Sequence, residues 1–370
     1  MTEILLWAGY FAVFAFLVHK GRSKDAVLSG SVGFGVQAFA YVATYISAVA
    51  LVGFGGLAHA YGLQMLLVAA GNVWFGTWAV YRFLAWPTRK WQERLGARTP
   101  AQLLGLGHGS PSLTRAMAFV FALFLGVYGS AVIKGAALLL AEILPVPVWA
   151  LIWLVAIIVH MSVHVIVMMV VTVLVRMLML VGMLMLVGAI FSKVGGPWEG
   201  MQALAALPPS DLANNGFVSL SGGERGLFIL SLVVVTSIAV WAQPQMMQRH
   251  FAIADPRQLK KTTPLAMFIL TVLVGGAYFA AALSRLILPE VASPDQVMPK
   301  LVQMLLPEFA LHIFVLAIVS ASLSTATGIY HIAVSALSED LRGRPSNRLS
   351  WFTGIAICVL VSGGCAQIKG

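Results

Sequence analysis

Long apolar runs recur along this chain and are separated by short polar connections. Each run is close to the ~20 residues that a helix needs to cross ~30 Å of hydrocarbon. Ten are read, at roughly 4–18, 32–57, 63–84, 116–141, 147–167, 171–191, 227–248, 265–288, 309–337 and 349–363. The first is short, and its leading Met1-Thr2-Glu3 lacks the positive n-region of a signal peptide, so it is taken as a retained span. The pattern predicts an all-α integral membrane protein of about ten transmembrane helices. The two largest connections, 85–115 and 193–226, are too small for a catalytic domain. The first is basic, with room for a short helix against anionic headgroups, and the second carries turn chemistry in Gly195-Gly-Pro-Trp198.

Polar residues inside the apolar runs add the next layer. In 309–337, Ser322, Ser324, Thr325 and Thr327 fall where a bilayer offers their hydroxyls no water. Such groups bond to their own helix, to a neighbouring helix or to something passing through. The stretch 32–62 is interrupted by Gly33, Gly35, Gly53, Gly55, Gly56 and Gly62, with Thr44 and Ser47 at its centre. The run 227–248 holds Ser231, Thr236 and Ser237 and then Gln243-Pro-Gln245, where proline removes a backbone donor and its ring breaks the helix. Two disrupted, polar-centred spans with four others between them suggest corresponding helices of two structural repeats. In secondary transporters such breaks free backbone carbonyls for ion coordination near the midplane. Taken alone, the glycines read as small residues that let helices pack closely. The hydroxyl cluster turns the reading toward a site.

Composition agrees with the pattern: 60% of the 370 residues are hydrophobic and only 10% charged. The net charge of +10 raises the question of nucleic acid, but its placement answers it. With the N-terminus outside, the clusters at 20–24, 82–115, 249–261 and 342–348 are cytoplasmic and hold sixteen of the 23 Lys and Arg. Lys193, Arg225, Arg285 and Lys300 lie opposite. The positive-inside rule accounts for this distribution with the lipid bilayer as partner and no polyanion. Cys358 and Cys365, both at the last span, read as small apolar residues.

Seven short segments follow one another in a familiar order: Ala43-Thr-Tyr-Ile-Ser-Ala48, Gly53-Phe-Gly-Gly-Leu-Ala-His-Ala-Tyr-Gly62, Ala97-Arg-Thr-Pro-Ala-Gln-Leu-Leu104, Gln243-Pro-Gln-Met-Met-Gln-Arg249, Asp295-Gln-Val-Met-Pro299, Ser324-Thr-Ala326 and Ala336-Leu-Ser-Glu-Asp340. Over nearly the whole chain they resemble the sodium:solute symporter family. The resemblance implies a leucine-transporter-type bundle of two inverted five-helix repeats. Here 1–31 is an extra span and linker, 32–192 the first repeat, 193–226 an extracytoplasmic loop and 227–370 the second repeat. That second repeat lacks its last helix, which leaves a further C-terminal segment or a partner chain to complete it.

The resemblance also implies sites. Sodium, the coupling ion, would take the carbonyls of Ala43, Ile46 and Ala321 and the hydroxyls of Ser324 and Thr325. Ala321, Ser324 and Thr325 share one helical face, and the alternative is that the two hydroxyls bond back to their own helix. By alignment Ser47, Val49 and Ala50 face the solute, with Trp241 and Gln243 opposite. Sugar-binding members carry polar side chains where this chain has Val49 and Ala50, which disfavours a polyol. Lys134, a charge inside an apolar run, either meets a solute carboxylate, stands in for a cation, or snorkels outward or toward a structural partner. One departure bears on sodium release: the family's Asp on the inner ion route falls at Val173. His160 and His164, spaced i and i+4, read as a metal pair or as hydrogen-bonding groups at a turn.

These readings imply sodium-coupled import of a small organic solute, a carboxylate or amino acid, across the plasma membrane, with no other cofactor. A transporter-like sensor or interaction domain of a signalling protein is the alternative. A membrane enzyme would need a His, Asp or Glu cluster at the membrane face, and only the His160/His164 pair comes near.

Overall fold

A computed structural model describes residues 33–47, 49–141, 143–163, 168–221, 223–253, 255–288, 291 and 293–342, with the backbone alone over 161–163 and 168–178. The expected spans at 4–18 and 349–363, His164 and both cysteines lie outside the described residues.

Helix α1 (Phe34–Tyr45) ends where Ile46 turns extended, at φ −95° and ψ 125°. A wide turn over Val49–Gly53 leads into α2 (Phe54–Tyr61), so the first glycine-rich stretch is a broken span. Two of its glycines serve packing. A Cβ on Gly56 would collide with the Pro294 carbonyl, and Gly62, at φ 74°, would collide with that of Phe217. Beyond it, α3 (Leu66–Val73) continues through wide turns into α4 (Trp86–Leu95). Gly96 stops α4 in the left-handed region at φ 64°. Thr99 then caps α5 (Pro100–Gly107) by accepting from the Gln102 amide, with proline at the first helical position.

The middle of the chain supplies α6 (Pro111–Ala141), α7 (Val148–Val163) and α8 (Met168–Val194). At Gly195 and Gly196, both with positive φ, the chain bends by 62° into α9 (Pro197–Ala205). Helix α10 (Gly226–Val233) runs on to a second break at Gln243, and α11 (Pro244–Phe251) follows. Then come α12 (Pro256–Leu270), α13 (Gly276–Leu283), α14 (Val297–Leu305) and α15 (Glu308–Ser335). Five helices among the described residues are long and apolar enough to cross a bilayer, or six if the bent pair is one span.

Burial orders the bundle. The most apolar window of 308–340 is 83% buried against 33% in α6, so α15 is the central helix and α6 an outer one. Phe119, Leu123 and Val127 on α6, four residues apart, form an exposed apolar stripe suited to lipid. Around α15 pack α6, α7, α8 and α1, while α12 lies on α1 and α13 on α2. At the basic end of the bundle, Asp340 accepts from Thr99 Oγ1 and Gln102 Nε2, each at 2.8 Å. That bond pair fastens the end of the central helix to the cap of α5.

Candidate functional site at the first broken helix

The hydroxyls of α15 divide by what they bond. Ser320, Ser322 and Thr327 donate to the carbonyls of Leu316, Ile318 and Leu323, four residues back, at 2.7–2.9 Å. This satisfies a buried hydroxyl within its own helix. Thr325 does more. Its Oγ1 stands 3.1 Å from the Ala321 carbonyl, 2.8 Å from that of Ala43 and 3.2 Å from that of Ile46. The last two oxygens come from the end of α1, where extended Ile46 takes the chain out of the helix. Ser324, beside it and 7% exposed, has no hydrogen-bond partner among the described residues.

Four oxygens therefore converge in a place with almost no water: Thr325 and Ala321 are each 1% exposed, and Ala43 and Ile46 not at all. A single hydroxyl proton serves one acceptor at a time, so oxygen lone pairs outnumber the proton shared among them. Such a point is electronegative and suits a hard cation. The structure thus brings Ala43, Ile46, Ala321 and Thr325 to one place, with Ser324 next to it. The back-bonding alternative holds for Thr325 only in part, because the same oxygen also faces α1.

The other expected residues spread around the break. Ser47 is buried. Val49 and Ala50 are half-buried on the turn that follows, and the Ala50 amide donates to the Ser47 carbonyl at 3.1 Å. Trp241 donates Nε1 to the Phe75 carbonyl at 2.8 Å, and Gln243 Oε1 accepts from Gln245 Nε2 at 3.0 Å. Lys134 has a protein partner: its Nζ lies 3.6 Å from Asp295 Oδ2, both side chains being partly exposed. His160 is buried within α7.

Three groups that sequence reasoning did not assign also border this region. Asn72 on α3 accepts from Thr236 Oγ1 at 2.9 Å and Ser237 Oγ at 3.1 Å, joining α3 to the helix before the second break. Tyr45 donates to the Thr236 carbonyl at 2.8 Å. Arg249 on α11 donates Nε to Thr44 Oγ1 at 2.7 Å. An amide near the middle of the apolar run 63–84 marks Asn72 in the sequence. Nothing local marks its partners, 164 and 165 residues away.

Comparison with known proteins gives this geometry a context. The model of the sodium:solute symporter family matches residues 27–361. A sodium/pantothenate symporter of Escherichia coli (strain K12) is 27% identical over 323 residues, covering 85% of this chain and 65% of that protein. One from Haemophilus influenzae is 25% identical over 189 residues, covering 48% of this chain and 37% of that protein. The chain thus spans less than two thirds of the length of either curated relative. A solved structure of a Na+-coupled sialic acid symporter, in a substrate-bound outward-open state, superposes with a TM-score of 0.76 at 13% identity, covering 99% of this chain and 81% of that one. At that identity the likeness establishes the leucine-transporter-type fold.

Proposed function

The chain belongs to the sodium:solute symporter family, and from that membership we propose that it couples an inward sodium gradient to import of a small organic solute. The observation that carries the reading is the convergence of the Ala43, Ile46 and Ala321 carbonyls on the Thr325 hydroxyl. Neutral oxygens at a broken helix bind a monovalent ion firmly enough to capture it and weakly enough to let it go. Ser324 supplies the fifth oxygen. Sodium held there joins the end of α1 to α15, and its loss lets the two part, which is the coupling that alternating access needs.

The solute sits beside the ion, on the turn after α1. Ser47 with Val49 and Ala50 forms one wall, Trp241 and Gln243 the other, and the Asn72, Thr236 and Ser237 cluster gives that wall polar atoms. Pantothenate and sialic acid, the solutes named for the relative and the structural neighbour, are both carboxylates. A carboxylate is the class we favour here, with Lys134 exchanging Asp295 for the solute's anion. Residues 32–192 and 227–370 form the two repeats, joined by 193–226 and preceded by 1–31. The basic connections face the cytoplasm, and the N-terminus lies outside.

The test is uptake of isotope-labelled pantothenate, then other small carboxylates, into vesicles carrying the protein, with and without an inward sodium gradient. Accumulation that needs the gradient supports the reading. Uptake that proceeds equally in potassium sinks the coupling.

A further inference from the structure

Arg249 is the one Lys, Arg, Asp or Glu on the two half-helices α1 and α11. It reaches from α11 to α1, where its Nε donates to Thr44 Oγ1 at 2.7 Å. The Thr44 proton is committed elsewhere, to the Ala40 carbonyl one turn back at 3.0 Å, so its oxygen can only accept. A guanidinium donor is therefore the natural complement of that oxygen. Ala43, the next residue along α1, gives its carbonyl to the oxygen cluster around Thr325. A positive charge is thus tied one residue away from a cation site made of neutral oxygens.

That charge is permanent, because a guanidinium does not shed its proton in a protein. It is also uncompensated. No carboxylate lies within ion-pair distance of Arg249 among the described residues, whose ion pairs are Arg89 with Glu93 and Lys134 with Asp295. The rings of Tyr41, Tyr81 and His250 pack together beside it, Tyr41 and Tyr81 with centroids 4.7 Å apart. All three are buried while Arg249 is half-buried, so water screens the charge only in part.

We propose that Arg249 is a positioning residue that sets how tightly the site holds sodium: fixed by Thr44, its charge opposes the ion from the basic end of the bundle and favours release there. The proposal rests on the sodium reading of the Thr325 site. It assigns to a fixed cation the role of speeding departure. The bond also ties the two inner half-helices together, so parting them and freeing the ion become one event.

The experiment is a sodium titration of intrinsic tryptophan fluorescence on the purified protein in lipid nanodiscs, with potassium as the control. R249Q is expected to bind sodium about tenfold more tightly than wild type, the size of one unit charge felt across a partly screened gap. R249K, which keeps the charge, stays within about threefold of wild type, and T44V, which frees the guanidinium to turn away, tightens binding about threefold. A role confined to holding the fold does not tighten sodium binding. If R249Q binds sodium as wild type does, or more weakly, the proposal is overturned. Should R249Q not fold, T44V decides, with tightening in support and no shift against. A wild-type protein that ignores sodium removes the sodium reading itself, which is a different failure from a wild-type response that R249Q leaves unmoved.

Discussion

The two breaks in the bundle, at Ile46 and at Gln243, are built differently. At the second, the break satisfies itself. Gln243, extended at ψ 121°, sits just before Pro244 and accepts from the amides of Met246 and Met247, each at 3.0 Å. Its side-chain oxygen takes the Gln245 amide. The proline makes this break, and the neighbouring residues close it. At the first there is no proline, and the carbonyls of Ala43 and Ile46 turn to a hydroxyl 282 and 279 residues away, respectively, on α15. A break closed by local bonds is stable by itself. One closed by a distant helix is stable only while that helix stays, and so it can report an event elsewhere.

The largest effect expected from this contrast is at Thr325. Substituting Thr325→Val keeps the shape and removes the oxygen at which three carbonyls meet. Sodium affinity should fall at least about a hundredfold, since a buried acceptor cluster losing its shared partner costs ~1–3 kcal/mol besides the lost ligand. T327V provides the matched control, because Thr327 bonds only to the Leu323 carbonyl of its own helix. It should shift the sodium midpoint by less than about twofold. Equal losses in the two variants would erase the distinction between the breaks.

Ser324→Ala comes next. That hydroxyl is buried with no protein partner among the described residues, so its removal leaves nothing unsatisfied and should not lower the unfolding temperature. Sodium affinity should weaken about tenfold, worth ~1.4 kcal/mol. A sodium titration and a thermal melt on the same sample separate the two quantities. A loss of stability without a loss of affinity would return Ser324 to a packing role.

How far the sequence carried can be read from these two residues. Hydropathy alone located α15, and the stranded hydroxyls pointed to something bonded there. The family resemblance singled out Ser324 and Thr325. Their unequal behaviour was not legible, since both lie on the face of Ala321 and differ only in what stands opposite. The same limit hid the longer links. Lys134 finds Asp295, and Arg249 finds Thr44, across 161 and 205 residues of chain. Periodicity reports which face is apolar and says nothing of which helix covers it. The glycines show the converse: Gly56 and Gly62 turned out to serve close packing against Pro294 and Phe217, the plainer reading of a small residue.

The Lys134–Asp295 pair tests whether the first break has a solute beside it. With side chains 30% and 42% exposed, the pair adds little to folding, about 0–1 kcal/mol. D295N should therefore leave stability nearly unchanged and free Lys134 for a carboxylate. K134Q should leave stability nearly unchanged as well and yet lower sodium-driven carboxylate uptake about tenfold if Lys134 meets the solute's anion. Melts and initial uptake rates on both variants check this. Loss of uptake in D295N equal to that in K134Q would mean that the pair matters as a pair, and would take Lys134 out of the solute site.

The smallest effect belongs to the second break. Gln243→Ala keeps the backbone acceptor used by Met246 and Met247 and removes only the bond from Gln245 Nε2. A hydrogen bond of this kind contributes about 0.5–1.5 kcal/mol, and its loss leaves the amide of buried Gln245 without that acceptor. Sodium affinity should move by less than about twofold, because no oxygen of this break reaches the Thr325 cluster. Solute uptake is the sharper readout, since Gln243 stands on the wall proposed to face the solute. A raised KM with an unchanged sodium midpoint would mark the second break as a solute wall. A shift of the sodium midpoint as large as that of S324A would mean that both breaks hold the ion, and the contrast between a self-closed and a distantly closed break would no longer explain the site.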